Sequence, residues 1–313
     1  MVSAALLSAI AVGCCVAAAR FRQASWPRRG PYVAVIVWQV LGLAWGFSII
    51  GALLAFGLAP YGRGVVGGLA ALVADASSHD LYLSEIAGTT LGATQVGAVI
   101  LAFSLTLLLF SGLVASFVQV VRVRRRHHDL LGLVAHDDPE VPGARILDHP
   151  AAAAYCLPGV LRSQVVVSAG ALEVLDRSEL AAVIAHEHAH LRQRHDLVLL
   201  PFSSLKRAFP HVRMVEVYYR AVALLIEMCA DDQARRERSP KELAMALLRF
   251  GASGTSQAPA GALAATADEP EVLTRVSRLL YPVQQLTRRQ TTAVLSAAVT
   301  LLCAITALWS MPL

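Results

Sequence analysis

Long apolar runs alternate with short basic segments over the first 121 residues; a mixed, more polar stretch follows, and one last apolar run closes the chain. Met1–Ala19 holds no charged side chain and as a helix rises about 28 Å, close to the hydrocarbon thickness of a bilayer. Tyr32–Ala59, Val96–Val121 and Thr292–Trp309 are equally free of Asp, Glu, Lys and Arg, so the pattern predicts four membrane-spanning helices. Gly42, Gly46 and Gly51 within the second run permit close helix contact. In the first run the positive charges follow the apolar residues instead of preceding them, the wrong order for a cleaved signal, so it reads as an anchor.

The polar stretch has a different rhythm. Arg122–Pro150 reads as mixed and turn-rich, with Asp137-Asp138-Pro139 and Pro142-Gly143 as breakers. Gln164–Ser168 (QVVVS) predicts a short strand, followed by Gly170. Asp176-Arg177-Ser178-Glu179 matches a capping box and starts an amphipathic helix. A second helix is expected from about Val215 to Arg238, stopped by Pro240. Gly251–Ala267, rich in small residues, reads as a loop, and Glu271–Leu280 is helical again with Leu273, Val276 and Leu280 on one side. No internal repeat is visible.

Composition agrees with a membrane protein: 56% of the residues are hydrophobic and only 16% charged. The net charge of +5 raises a nucleic-acid reading, but its distribution argues against one. Arginines cluster at 20–29, 122–126 and 288–289, each beside an apolar run, as juxtamembrane charges do. Residues 20–31 hold four arginines and no acid, whereas 60–95 set Arg63 against Asp75, Asp80 and Glu85. The positive-inside rule therefore puts both termini outside and residues 122–290 in the cytoplasm. The expected organisation is a membrane domain over 1–121, a cytoplasmic domain over 122–290, and a fourth transmembrane helix over 291–313. Five scattered cysteines, with no Cys-x-x-Cys pair, indicate neither a disulfide framework nor a cysteine zinc site.

The candidate chemistry lies in Ala181–Asp196, AAVIAHEHAHLRQRHD. His186, Glu187 and His190 form HExxH within the capped helix. At 100° per residue His190 lies about 40° round from His186, one turn along the same face, so both imidazoles can reach one zinc ion. Glu187, about 100° round, stands beside the metal, where it can take a proton from the attacking water. His188, about 200° round, points away. A hydrolytic zinc site needs a third protein ligand. Leu224–Arg235 (LLIEMCADDQAR) offers Glu227, directly after an apolar run, with Asp231 four residues on as a carboxylate that orients one of the histidines. A solvated acidic face is the competing reading of that spacing, and the apolar run Ala221–Ile226 before Glu227 favours a partly buried carboxylate instead.

Taken together, IAHEHAHLRQRHD, EMCADDQA, QVVVSAGALEVLDRSEL and AYCLPG (Ala154–Gly159) resemble the BlaR/MecR family of membrane zinc peptidases, and the order of spans and domain is similar too. The resemblance implies a mainly α membrane protein: four transmembrane helices, with a cytoplasmic α+β gluzincin-type metallopeptidase domain between the third and fourth. It implies one Zn2+ per chain on His186, His190 and Glu227, Glu187 as catalytic base, and Asp231 in support. His195 and Asp196 match the family's R-x-x-H-D stretch and are assigned a supporting role. The implied activity is that of a zinc metalloendopeptidase which cleaves a cytoplasmic transcriptional repressor, with no direct nucleic-acid binding. A homodimer is compatible with the chain. Antibiotic-sensing members carry a penicillin-binding sensor after the fourth span; here the residues end at Leu313, so direct covalent sensing of a β-lactam is not expected.

Two alternatives stand beside this. A quality-control membrane protease of the HtpX type shares HExxH and the later Glu, but two spans typically separate its motifs. Arg192, Arg194, His195, Asp196, Lys206, Arg207, Arg213, Glu216 and Arg220 between His190 and Glu227 are too many charges for two spans. A catalytically silent membrane receptor is the third reading, and the complete ligand set argues against it.

Overall fold

The computed structural model describes residues 1–78, 91–139, 141–159, 163–252, 269–281 and 283–311. The chain divides into two compact units, Met1–Ser111 with Leu286–Leu313, and Gly112–Gln285.

In the first unit α1 (Val2–Gln23) and α2 (Pro31–Gly57) pack side by side, joined by a tight turn over Trp26–Arg29. Pro31 opens α2, where its missing N–H costs nothing. Phe21 closes the corner, its ring centroid 4.8 Å from that of Trp26 and 5.2 Å from that of Trp38. A short helix α3 (Gly64–Ser78) follows, in the region read from sequence only as an outer loop. Next comes α4 (Ala93–Val134); the last helix of the chain (Arg288–Ser310) is capped by a Thr287–Gln290 box. Gly51 lets that last helix approach α2, because a Cβ there would run into Trp309 Nε1. Trp309 Nε1 donates to Phe47 O at 3.3 Å.

Among the described residues, the two α1–α2 helices, α4 and the last helix are the four that are long and apolar enough to cross a membrane. Their outward side chains, such as Phe103, Leu107 and Phe110, are large and apolar, as a lipid-facing surface requires.

Helix α4 corrects the sequence reading. It does not end near Val121 but runs on through the arginines to Val134, 42 residues in all, because no proline interrupts residues 122–134 and most of them are adequate helix formers. The turn-rich assignment holds only farther on.

The second unit takes the C-terminal part of α4 and a four-stranded sheet. Its strands are β1 (Ala135–Asp137), β2 (Ala144–Leu147), β3 (Ala154–Leu157) and β4 (Gln164–Ser168), in the order β1-β2-β4-β3. β2 and β4 are parallel, and the two outer pairings are antiparallel. The alternation of QVVVS explains why β4 is central. Val165 and Val167 enter one core with Ile146, Leu180 and Val183, while Val166 enters another with Leu131, Tyr155 and Leu157. Ser168 ends the strand and caps α5 (Ala169–Val174), its Oγ accepting from Ala171 N at 3.1 Å and Ala153 N at 2.8 Å. Gly170 follows because its backbone lies against the carbonyl of Pro150, leaving no room for a Cβ.

Five helices complete the unit: α6 (Arg177–Arg192), α7 (His195–Ala208), α8 (Arg213–Ala234), α9 (Pro240–Ala252) and α10 (Glu269–Leu280). The last helix, Arg288–Ser310, is thus α11. α6 packs against β3, α8 and α9. Its small Ala182 and Ala185 meet Ala234, Leu243, Val276 and Leu279. α8 ends four residues before the expected Arg238, and Pro240 begins α9 instead of merely stopping a helix. The expected loop at Gly251–Ala267 begins inside α9 and then falls outside the described residues. α7 and the first part of α8 lie between the two motifs, and neither helix is among the candidate spans.

Candidate metal centre

Helix α6 owes its start to Asp176. Its Oδ1 accepts from Ser178 N at 2.8 Å and Glu179 N at 2.9 Å, and Glu179 Oε2 accepts from Asp176 N at 3.1 Å. These contacts, the Glu179 N–H above all, hold the Asp176 carboxyl below its usual range. The helix so registered turns His186, Glu187 and His190 into the interior, all three buried. Arg194, in the left-handed region at φ 50°, breaks the path and sends the chain into α7. Its first residue, His195, returns toward His190.

Glu227 arrives from α8. His186 Nε2 and His190 Nε2 stand 3.1 Å apart; Glu227 Oε2 lies 3.3 Å from the first and Oε1 3.5 Å from the second. One ligand atom from each of these residues falls within 4.8 Å of the others, a separation at which they could hold a metal ion. The opposite ring nitrogens are occupied too. Asp231 Oδ1 stands 3.0 Å from His186 Nδ1, and His195 Nδ1 stands 3.0 Å from His190 Nδ1. Both contacts leave the Nε2 atoms facing the centre. Burial, with His190 alongside, drives the His195 imidazole down to about 3, so it is neutral and can accept the N–H of His190.

The electrostatics fit a dication. Glu187, Glu227 and Asp231 are buried carboxylates, and Arg275 of α10 is the buried guanidinium against Glu227 and Asp231. With both imidazoles neutral, as metal ligands must be, three negative charges against one positive leave a formal deficit that a divalent cation cancels. Burial opposes ionisation of Glu227, yet His190 and Arg275 hold it well below the usual carboxylate range; Asp231, opposed in the same way, is held at about 2 chiefly by Arg275. Burial lowers His186, but the carboxylates of Asp231 and Glu227 overcome it and lift the imidazole to about 9. Two imidazoles and a carboxylate are a donor set suited to zinc.

Glu187 is placed differently. Burial pushes its carboxyl up, against the pull of His190 and His186. One oxygen takes the thiol hydrogen bond of Cys156 on β3, and Oε2 is buried with no hydrogen-bond partner among the described residues. Asp196 lies one step farther out, where its carboxylate meets Arg124 of α4 at 2.7 Å and Arg194 at 3.6 Å. His188 faces Gly143, away from the centre. Arg192 pairs with Glu237 at 2.7 Å. Of the tyrosines before Glu227, Tyr219 lies under Lys206, whose Nζ is 4.5 Å from the ring centroid.

Sequence reasoning missed Arg275, Cys156 and Arg124. The available signal for Arg275 was its spacing: Arg275 and Arg278, three apart on α10, meet the consecutive Asp231 and Asp232 of α8. Ser203 and Lys206 carry the Ser-x-x-Lys spacing of acylatable serines, but they do not work as a pair. Ser203 Oγ donates to Leu200 O at 2.8 Å, and Lys206 Nζ pairs with Glu216 at 2.8 Å.

A family model described as Peptidase family M48 matches residues 90–267, more than half of the chain. No curated protein and no solved structure matches it.

Proposed function

The chain belongs to peptidase family M48, and from that membership we propose that it is an integral-membrane zinc endopeptidase with a cytoplasmic active site. The observation that carries the reading is the convergence of His186, His190 and Glu227 on one centre, beside a buried Glu187 oxygen with no hydrogen-bond partner of its own. Four candidate spans support attachment to the bilayer, and the arginines beside them support the cytoplasmic side for residues 122–290.

His186 Nε2, His190 Nε2 and a Glu227 oxygen would hold one Zn2+. The ion supplies Lewis-acid chemistry to the scissile carbonyl and to the attacking water. Asp231 Oδ1 stands against Nδ1 of His186 and His195 Nδ1 against that of His190, and these neighbours keep Nε2 of both rings toward the centre. Glu187 Oε2 takes the proton of the attacking water and returns it to the leaving amine nitrogen.

For substrate, the BlaR/MecR-like motifs and span order support a regulatory protease that cleaves a cytoplasmic repressor. The test replaces Glu187 by Gln in the native cell and identifies the proteins that accumulate uncleaved. Accumulation of one soluble DNA-binding protein is expected. A broad rise in damaged membrane proteins would instead assign the enzyme to quality control.

A further inference from the structure

We propose that Arg275 is a positioning residue of the metal centre, orienting Glu227 directly and His186 through Asp231; the inference rests on the zinc-peptidase reading above. The guanidinium is 4% exposed and lies beyond the span matched by the family model. Its Nε and Nη2 engage the two oxygens of Asp231 at 2.8 and 2.7 Å, a bidentate contact that fixes the plane of that carboxylate. The Asp231 oxygen held by Nη2 is the one facing His186 Nδ1 at 3.0 Å. Nη1 meets Glu227 Oε2 at 2.9 Å, leaving Oε1 toward His190. A single planar group thus sets the orientation of two of the three ligands. An ammonium, a point donor on a flexible stem, can reproduce one of these contacts but not the fork.

The same helix carries its own control. Arg278, one turn on, pairs with Asp232 at 2.6 Å, also buried, and Asp232 is no member of the ligand cluster. Both arginines fasten α10 to α8, and among the described contacts it is Arg275 that reaches the ligands. Because Arg275 contacts the ligand Glu227 itself, docking of α10 and metal binding are coupled.

The experiment is zinc competition between the full-length, detergent-solubilised protein and a chromophoric chelator, for wild type, Arg275→Met, Arg275→Lys and Arg278→Met. Arg275→Met weakens zinc binding about 10–100-fold, in line with the loss of a group that orients metal ligands. Arg275→Lys recovers part of that loss and carries the test if the methionine variant does not fold. Arg278→Met lowers thermal stability but keeps zinc affinity within about twofold. At saturating zinc, Arg275→Lys lowers kcat and leaves KM unchanged. Wild-type affinity in Arg275→Met overturns the inference and leaves the peptidase reading standing. Equal losses in Arg275→Met and Arg278→Met also overturn it, since helix docking alone would then explain both. A wild-type chain that takes up no zinc overturns inference and peptidase reading together.

Discussion

Replacing Arg124 by Met removes the principal partner of a buried carboxylate. The Asp196 side chain is 1% exposed and its oxygen lies 2.7 Å from Arg124 Nη1, itself only 13% exposed. Stripping one partner from such a pair costs about 3–5 kcal/mol, because the remaining charge stays buried. Arg194 remains at 3.6 Å, but it is about half exposed and its pull is screened, so it offsets little of the loss. The expected cost is therefore near the lower end, about 3 kcal/mol. For a unit the size of Gly112–Gln285 this lowers the unfolding temperature by roughly 6–12 °C. The assay is thermal unfolding in detergent for Arg124→Met, Asp196→Asn and the double variant. Asp196→Asn removes the stranded charge, so the double variant should lose about 2 kcal/mol less than the two single losses added. Strict additivity would refute the reasoning. Asp196 is the second residue of α7, next to His195, which touches His190, so Arg124→Met should reduce peptidase activity as well as stability.

Removing metal with a chelator should lower the unfolding temperature, and zinc at about 1,000 times its Kd should restore about 4 kcal/mol; identical melting with and without metal would contradict the charge deficit at the centre. Asp176→Ala deletes the capping box and should cost about 1 kcal/mol, while Asp176→Asn should retain most of it, read by chemical denaturation. Gly170→Ala forces a Cβ into the Pro150 carbonyl and should cost about 1–3 kcal/mol; unchanged stability would mean that the β4–α5 corner is looser than described.

What could be read in advance follows from how local each signal is. The spans were legible because a run such as Tyr32–Ala59 announces itself by composition alone. The α6 start was legible because Asp176 and Glu179 interact within one turn. Glu227 was singled out through a local pattern as well, a carboxylate closing an apolar run, and the structure brings it beside His186 and His190. The strands β1, β2 and β3 were not legible: three or four residues give too short a period-2 pattern, and their register comes from pairing with distant partners. The continuation of α4 was hidden because the arginines that end the apolar run close the hydropathy pattern without breaking the helix. Arg275 was missed for another reason. Its partners lie more than forty residues earlier, and only the docking of α10 on α8 brings them together.

Glu187→Gln tests the central claim most directly. Glutamine keeps the size and burial of the side chain but cannot take the proton of the attacking water. The measurement is zinc content together with cleavage of an unfolded protein substrate, for wild type and variant purified side by side in detergent. The account predicts one zinc per chain in both and cleavage only by wild type. Cleavage at the wild-type rate by a zinc-loaded Glu187→Gln variant would contradict it.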